Sequence, residues 1–311
     1  MNELKKIPVI IDCDPGVDDA AALLLAFRSP ALDIRGVTTV AGNVGLDKTT
    51  LNALKILDLI GGEVPVHRGA DRPMFCEAID AADIHGADGL HGIRLPDTSR
   101  AVSGEAAWDA IHREALAAGG ALEIIAVGPL TNLGIALAKY GDLPSLLRRI
   151  VIMGGSASVG NTTAAAEFNI LVDPEAADMV FRCGVPVHMC GLDVTHKSYL
   201  TAEEMDRIAA LGSPQARFFG EVTRGSVKWA EKYGVPGGPM HDPCAVLYAI
   251  DDSIFTAQEV WARVELHGRI TRGKTVTDLY SDAQREPNIT IVTGVDRPAF
   301  VARVMELMAR Y

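Results

Sequence analysis

Short apolar runs that end at glycine, proline or asparagine alternate with amphipathic stretches along most of this chain. Residues 9–11 form such a run and read as a strand buried on both faces. Pro15 and Gly16 force a turn after it. Residues 20–26 are strong helix formers throughout, with Asp18 or Asp19 placed as N-cap. The same alternation gives a strand at 34–40 and a helix at 46–60, which Gly61-Gly62 stops. Beyond it come a helix at 104–117, a strand at 122–127 and a helix at 133–140. A strand at 150–155, a helix at 174–183 and a strand at 185–190 follow. Helices are predicted at 201–211, 214–232 and 244–250. Strands that alternate with helices predict an α/β fold, an open and mostly parallel Rossmann-like sheet flanked by helices. Residues 260–266, 275–280 and 289–292 alternate and are β-branched, with turns at 271–273 and 284–288, which predicts an antiparallel C-terminal edge. A helix at 297–310 closes the chain. Residues 69–100 lack periodicity, and loops of that length in compact domains often serve as lids or binding loops. No repeat or linker interrupts the pattern, so 1–311 reads as one domain.

Composition narrows the function classes. The chain has 311 residues, 48% hydrophobic and 22% charged, enough for a sizeable core. A formal net charge of −11 argues against nucleic acid or an anionic membrane as partner. Five scattered cysteines without a C-x-x-C pair suit reduced thiols rather than a disulfide frame or a zinc site. No apolar signal core precedes the first strand, and no run approaches the roughly 20 apolar residues of a membrane span. A cytoplasmic protein is expected.

The candidate chemistry sits at strand ends. Asp12, Asp14, Asp18 and Asp19 fall within eight residues, at the C-terminal end of the first strand, where open α/β sheets bind ligands. Helix N-terminal N–H groups offset part of their repulsion, about 1 kcal/mol. A divalent cation would offset far more, and an all-oxygen donor set points to Ca²⁺ or Mg²⁺. Asn43 follows Gly42 just past the second strand, as a turn residue or a ligand contact. Gly128-Pro129 ends the strand at 122–127 and frees the Val127 carbonyl from any ladder, as a cation would require. Asn161, Glu167 and Asn169 place a carboxylate and two amides in nine residues, a set suited to sugar hydroxyls or to an ordinary polar loop. Trp229 and Tyr233 lie in a glycine-rich stretch, to stack on a base or to pack a helix. His85 and His91 are loop histidines, and Asp242 follows His241 at a helix start.

Asp12-Cys13-Asp14-Pro15-Gly16-Val17-Asp18-Asp19 resembles the N-terminal fingerprint of the nucleoside hydrolases of the inosine–uridine-preferring family. Ala166-Glu167-Phe168-Asn169, followed by Asp173-Pro174-Glu175-Ala176-Ala177, resembles that family's second signature, and His241-Asp242-Pro243 its third. The resemblance spans essentially the whole chain, with the motifs in order. It implies Ca²⁺-dependent hydrolysis of the N-glycosidic bond of a ribonucleoside, giving free base and ribose, by a homodimer or homotetramer. It implies a cation held by Asp14, Asp19, Asp242 and the Val127 carbonyl, with His85 at the mouth of the site. Asn161 and Glu167 would hold the 5′ side of the ribose, Asn169 its 2′/3′ side, and His241, with a pKa near neutral, would protonate the leaving base. Asp14 is then the candidate general base and Asp18 the acceptor for a ribose hydroxyl.

Competing readings are set by residues too. A haloacid-dehalogenase-type phosphatase also opens on Asp-x-Asp but carries Thr or Val where Gly16 stands. An EF-hand is excluded by the missing incoming helix and by Leu23 at the place of its bidentate Glu. A phosphorylase needs a basic phosphate pocket, and no Lys or Arg cluster lies beside these motifs. A Ca²⁺-dependent ribose-binding protein without catalysis would carry the same donors.

Overall fold

The structure, a computed structural model, describes residues 6–231, 234–280 and 284–311, except the side chains of Trp229 and Glu231. Eleven strands are described. In chain order they are β1 (Ile7–Cys13), β2 (Leu32–Thr39), β3 (Val66–Arg68), β4 (Leu122–Ala126), β5 (Leu147–Met153), β6 (Val187–Cys190), β7 (Tyr199–Leu200), β8 (Gly238–Pro239), β9 (Phe255–Val264), β10 (Thr275–Asp278) and β11 (Ile289–Val295). Nine of them form one sheet in the order β10-β9-β11-β6-β5-β4-β1-β2-β3, and β7 pairs with β8 as a separate antiparallel ribbon. From β3 across to β11 every pairing is parallel, whereas β9 runs antiparallel to both β11 and β10. The expected parallel sheet with an antiparallel C-terminal edge is therefore present.

Strand alternation divides the core in two. Val9, Ile11 and Cys13 of β1 face one layer, built from helices Val17–Arg28, Leu46–Ile60, His241–Ile250 and Arg297–Met308. Ile10 faces the other, with Leu130 and Leu133 near the start of helix Thr131–Lys139, and with Ile111 and Val180 from helices Ala107–Ala118 and Pro174–Phe181. A strand covered on both faces needs no polar positions, which is why β1 and β4 are nearly continuous apolar runs.

The chain departs from the pattern-based elements where burial is weak. β9 begins at Phe255, not at 260, because its first half is exposed and carries no alternation. β3, β7 and β8 are two or three residues long and leave no periodic trace. Helix Val17–Arg28 starts before the aspartates, so neither Asp18 nor Asp19 is its N-cap; Gly16 is. Asp19 sits in the first turn and reaches back to accept from the Gly16 N–H at 2.9 Å.

Candidate active site

β1 lies between β2 and β4, and the helices that follow β1 and β4 pack on opposite faces of the sheet. That is a topological switch point, where the carboxyl ends of the strands open a crevice. Asp14 is the first residue past β1 and Val127 the first past β4. Asp242 reaches the same place from the first turn of helix His241–Ile250.

The acids are packed against one another. One carboxylate oxygen each from Asp18, Asp19 and Asp242 lies within 4.8 Å of the others. Asp14 adjoins them, its N–H donating to Asp19 Oδ1 at 3.0 Å. Asn43 fastens the group: its N–H donates to Asp14 Oδ2 at 2.6 Å, and its side-chain amide donates to the Asp14 carbonyl and to Asp19 Oδ2 at 3.1 and 3.0 Å. Asp14 Oδ1 is buried without a hydrogen-bond partner. Glycines make room for this carboxylate. A Cβ on Gly42 would stand 2.1 Å from Asp14 Oδ2, and one on Gly128 would stand 2.6 Å from Asp14 Oδ1.

Such a cluster is unfavourable unless something carries its charge. Burial pushes the Asp14 and Asp242 carboxyls well above the usual carboxylate range, and the neighbouring aspartates push them further. Burial and then Asp18 raise Asp19 to about 7, and burial also raises Asp18. Without a cation these groups hold their protons more tightly than free carboxyls do. An unpartnered buried oxygen beside three converging carboxylates is a donor set that fits a hard divalent ion.

Above the acids lies a cavity of about 680 Å³, whose lining includes Asp18, Asn43, His85, Val127, Asn161, Glu167, Asn169, His241 and Asp242. The residues singled out at 43, 85, 161, 167, 169 and 241 thus share one cavity with two of the aspartates. The Trp229 side chain and Tyr233 lie outside the described residues. The geometry adds four details to the sequence-based expectations. The Val127 carbonyl is outside the ladder yet not unused: the Asn169 amide donates to it at 2.8 Å, leaving one lone pair. That amide also donates to the Met153 carbonyl at 3.1 Å, so Asn169 offers a ligand its Oδ1 alone. Glu167 caps helix Phe168–Val172 and accepts from the N–H groups of Gly155, Asn169 and Ile170, while burial raises it to about 7. His241 does not titrate near neutrality, because burial pushes it down to about 4 against the pull of Asp18.

The histidines are tied on one side. His85, in the turn Ala82–His85, accepts at Nδ1 from the Val17 N–H at 3.2 Å, and burial lowers it to about 4. His241 Nδ1 stands 2.8 Å from the Thr195 hydroxyl. Two supports escaped the sequence reading. Asn132 donates to Asp12 Oδ1 at 2.7 Å and to the Thr39 carbonyl at 3.1 Å, and accepts from the Ala70 N–H at 2.9 Å. Asp12 is buried, takes a further bond from Thr38, and is raised by burial to about 6. Both act across more than 20 residues, and only folding reveals them.

Residues 9–302 match the family profile described as "Inosine-uridine preferring nucleoside hydrolase". The chain is 42% identical over 307 residues to a "Pyrimidine-specific ribonucleoside hydrolase RihA" of Shewanella sp. (strain MR-7), covering 98% of this chain and 96% of that one. Among solved structures it is similar to the purine-preferring ribonucleoside hydrolase from Gardnerella vaginalis, with TM-score 0.90, 34% identity and coverage of 98% and 100%. It is similar also to a plant nucleoside hydrolase, with TM-score 0.92, 31% identity and coverage of 97% and 99%. A match of this extent, on a chain whose acids and amides line one crevice, makes the protein a member of the inosine-uridine preferring nucleoside hydrolase family and an enzyme that hydrolyses the N-glycosidic bond of ribonucleosides.

Proposed function

We propose that this enzyme is Ca²⁺-dependent, that Asp14 is its general base, and that His241 assists departure of the base. The observation that carries the reading is the buried Asp14 carboxylate, with one oxygen unpartnered, packed against Asp19. Asp14, Asp19, Asp242 and the second lone pair of the Val127 carbonyl are the residues to hold the ion. When bound, it offsets the carboxylate charge and lends Lewis acidity toward a sugar diol and a water.

N-glycoside hydrolysis passes through an oxocarbenium-like state, as O-glycoside hydrolysis does. Asp14 takes a proton from the water that attacks the anomeric carbon, and Asn43 keeps that carboxylate aimed. Asp18 accepts from a ribose hydroxyl. Asn169 meets the sugar through Oδ1, and Asn161 and Glu167 close the 5′ end. His241 is neutral in the cation-free site, so it acts first as a hydrogen-bond donor. Negative charge that builds on the leaving base, added to that of Asp18, then favours uptake of a proton from solvent by the ring, and the imidazolium passes a proton to the base and returns to neutral imidazole.

Pyrimidine ribonucleosides are the proposed substrates, because the 42% identical relative is named a pyrimidine-specific ribonucleoside hydrolase. A panel of uridine, cytidine, inosine and adenosine, assayed for free ribose, tests this: faster turnover of the two pyrimidines is expected, and faster turnover of inosine contradicts it. The His241→Ala variant tests the assistance to the base. It should slow uridine far more than p-nitrophenyl riboside, whose leaving group needs no proton. Equal losses on the two remove His241 from that role.

A further inference from the structure

A single helical turn, Leu192–Thr195, follows β6 and ends beside His241. Thr195 is fully buried, and among the described residues His241 Nδ1 is the one hydrogen-bond partner its hydroxyl has. That solitude decides the direction of the bond. A hydroxyl has one hydrogen to give, and an imidazole nitrogen carries either a hydrogen or a lone pair. If Nδ1 carried the hydrogen, it would donate to Oγ1, and the Thr195 hydrogen would be buried with no acceptor. A buried donor left unmade costs more than an ordinary hydrogen bond returns. The arrangement that satisfies both groups has Thr195 donating and Nδ1 accepting.

We propose that Thr195 is a positioning residue whose hydroxyl donates to Nδ1 of His241, fixing the plane of the ring and keeping the imidazole hydrogen on Nε2. His196, the next residue, sets its ring edge-on to His241, with centroids 5.8 Å apart and planes at 67°. One short turn thus supports the same imidazole twice. The consequence for catalysis rests on the donor role given to His241 above: without the Thr195 hydroxyl the ring would populate both tautomers, and one of them has no hydrogen on Nε2. The tautomer itself does not rest on that role.

Two measurements separate these statements. Nitrogen NMR of the histidine-labelled enzyme reads the tautomer directly, in the unsubstituted protein once the His241 signals are assigned. His241, assigned by its loss in His241→Ala, should show an unprotonated Nδ1 and a protonated Nε2. A protonated Nδ1 overturns the proposal. The Thr195→Val variant keeps the shape and removes the hydroxyl. It should lower kcat on uridine by about 10–100-fold, the range seen when the outer hydrogen-bond partner of a metal-bound histidine is lost, with KM little changed. On p-nitrophenyl riboside it should change little, and Thr195→Ser should restore uridine turnover. Equal loss on both substrates, or no rescue by serine, overturns the positioning role. In the His241→Ala background, Thr195→Val should add nothing further on uridine, and an additional loss there shows that Thr195 acts elsewhere. If His241→Ala itself slows both substrates equally, the donor role fails, while the nitrogen spectrum still decides the tautomer.

Discussion

Asp14 is where charge, burial and space meet. Its carboxylate is enclosed between Gly42, Gly128 and Asn43, with one oxygen engaged and the other not. Asp14→Asn keeps the size and removes the basicity. Turnover of uridine should fall by about 10²–10⁴-fold, the usual share of a general base, while circular dichroism and thermal unfolding stay close to the parent. A variant with undiminished turnover contradicts the assignment. Gly42→Ala acts through the same oxygen from the other side. Its methyl would stand 2.1 Å from Asp14 Oδ2 and 2.8 Å from Pro129, so something must shift. A loss of about 1–3 kcal/mol in urea unfolding is expected, the range for overpacking, together with weakened Ca²⁺ binding. At this scale the sequence was informative because the aspartates are adjacent in the chain. It was silent on the partners of Val127 and Asn169, because a hydrogen bond between residues 42 positions apart has no local signature.

At the scale of elements, the site depends on how strand ends are tied together. Asn132, at the start of helix Thr131–Lys139, bonds to β1, to β2 and to the segment leaving β3. Asn132→Ala orphans the Ala70 N–H and withdraws one of the two donors to Asp12 Oδ1. A cost of about 1–3 kcal/mol, the desolvation of an unsatisfied buried group, should appear in the urea midpoint, with KM raised because the crevice loosens. Unchanged stability would show that the three strands hold their ends without it. The strand–turn–helix opening was readable because its apolar run, Pro-Gly break and helix formers all point one way. β3 and the β7–β8 ribbon were not, since two or three residues cannot display a period, and the exposed half of β9 has no burial to enforce alternation.

Across the whole molecule, the buried acids and histidines set how stability responds to pH and to metal. Asp12 at about 6, and Asp19 and Glu167 at about 7, keep protons that the unfolded chain loses near 4. Their stabilisation is complete below pH 4 and is lost as pH rises through 6–7. His85, His188 and His241, at about 4, stay neutral while the unfolded chain protonates below about 6.5, so their contribution grows as pH rises from 4 to 6.5. The two sets oppose each other below 6.5; above it the carboxylates act alone. The cation-free enzyme should therefore lose thermal stability between about pH 6.5 and 8. Ca²⁺ competes with those protons, so the rise in Tm on its addition should be larger at pH 8 than at pH 5; an equal rise at both contradicts the shared carboxylates. The α/β class and its antiparallel edge were legible at this scale because layered burial writes itself into periodicity. The protonation of the site was not, since it follows from depth and from which acids folding brings together. Among the described residues no helix is long and apolar enough to cross a membrane.

The most direct trial of the account is ribose release from uridine by enzyme stripped with a chelator and titrated with Ca²⁺. Turnover should vanish on stripping and return saturably with added Ca²⁺, and the Asp242→Asn variant should need far more of the ion to recover any. Full turnover by stripped enzyme, with no response to Ca²⁺, would contradict the claim that these converging carboxylates work by holding a cation.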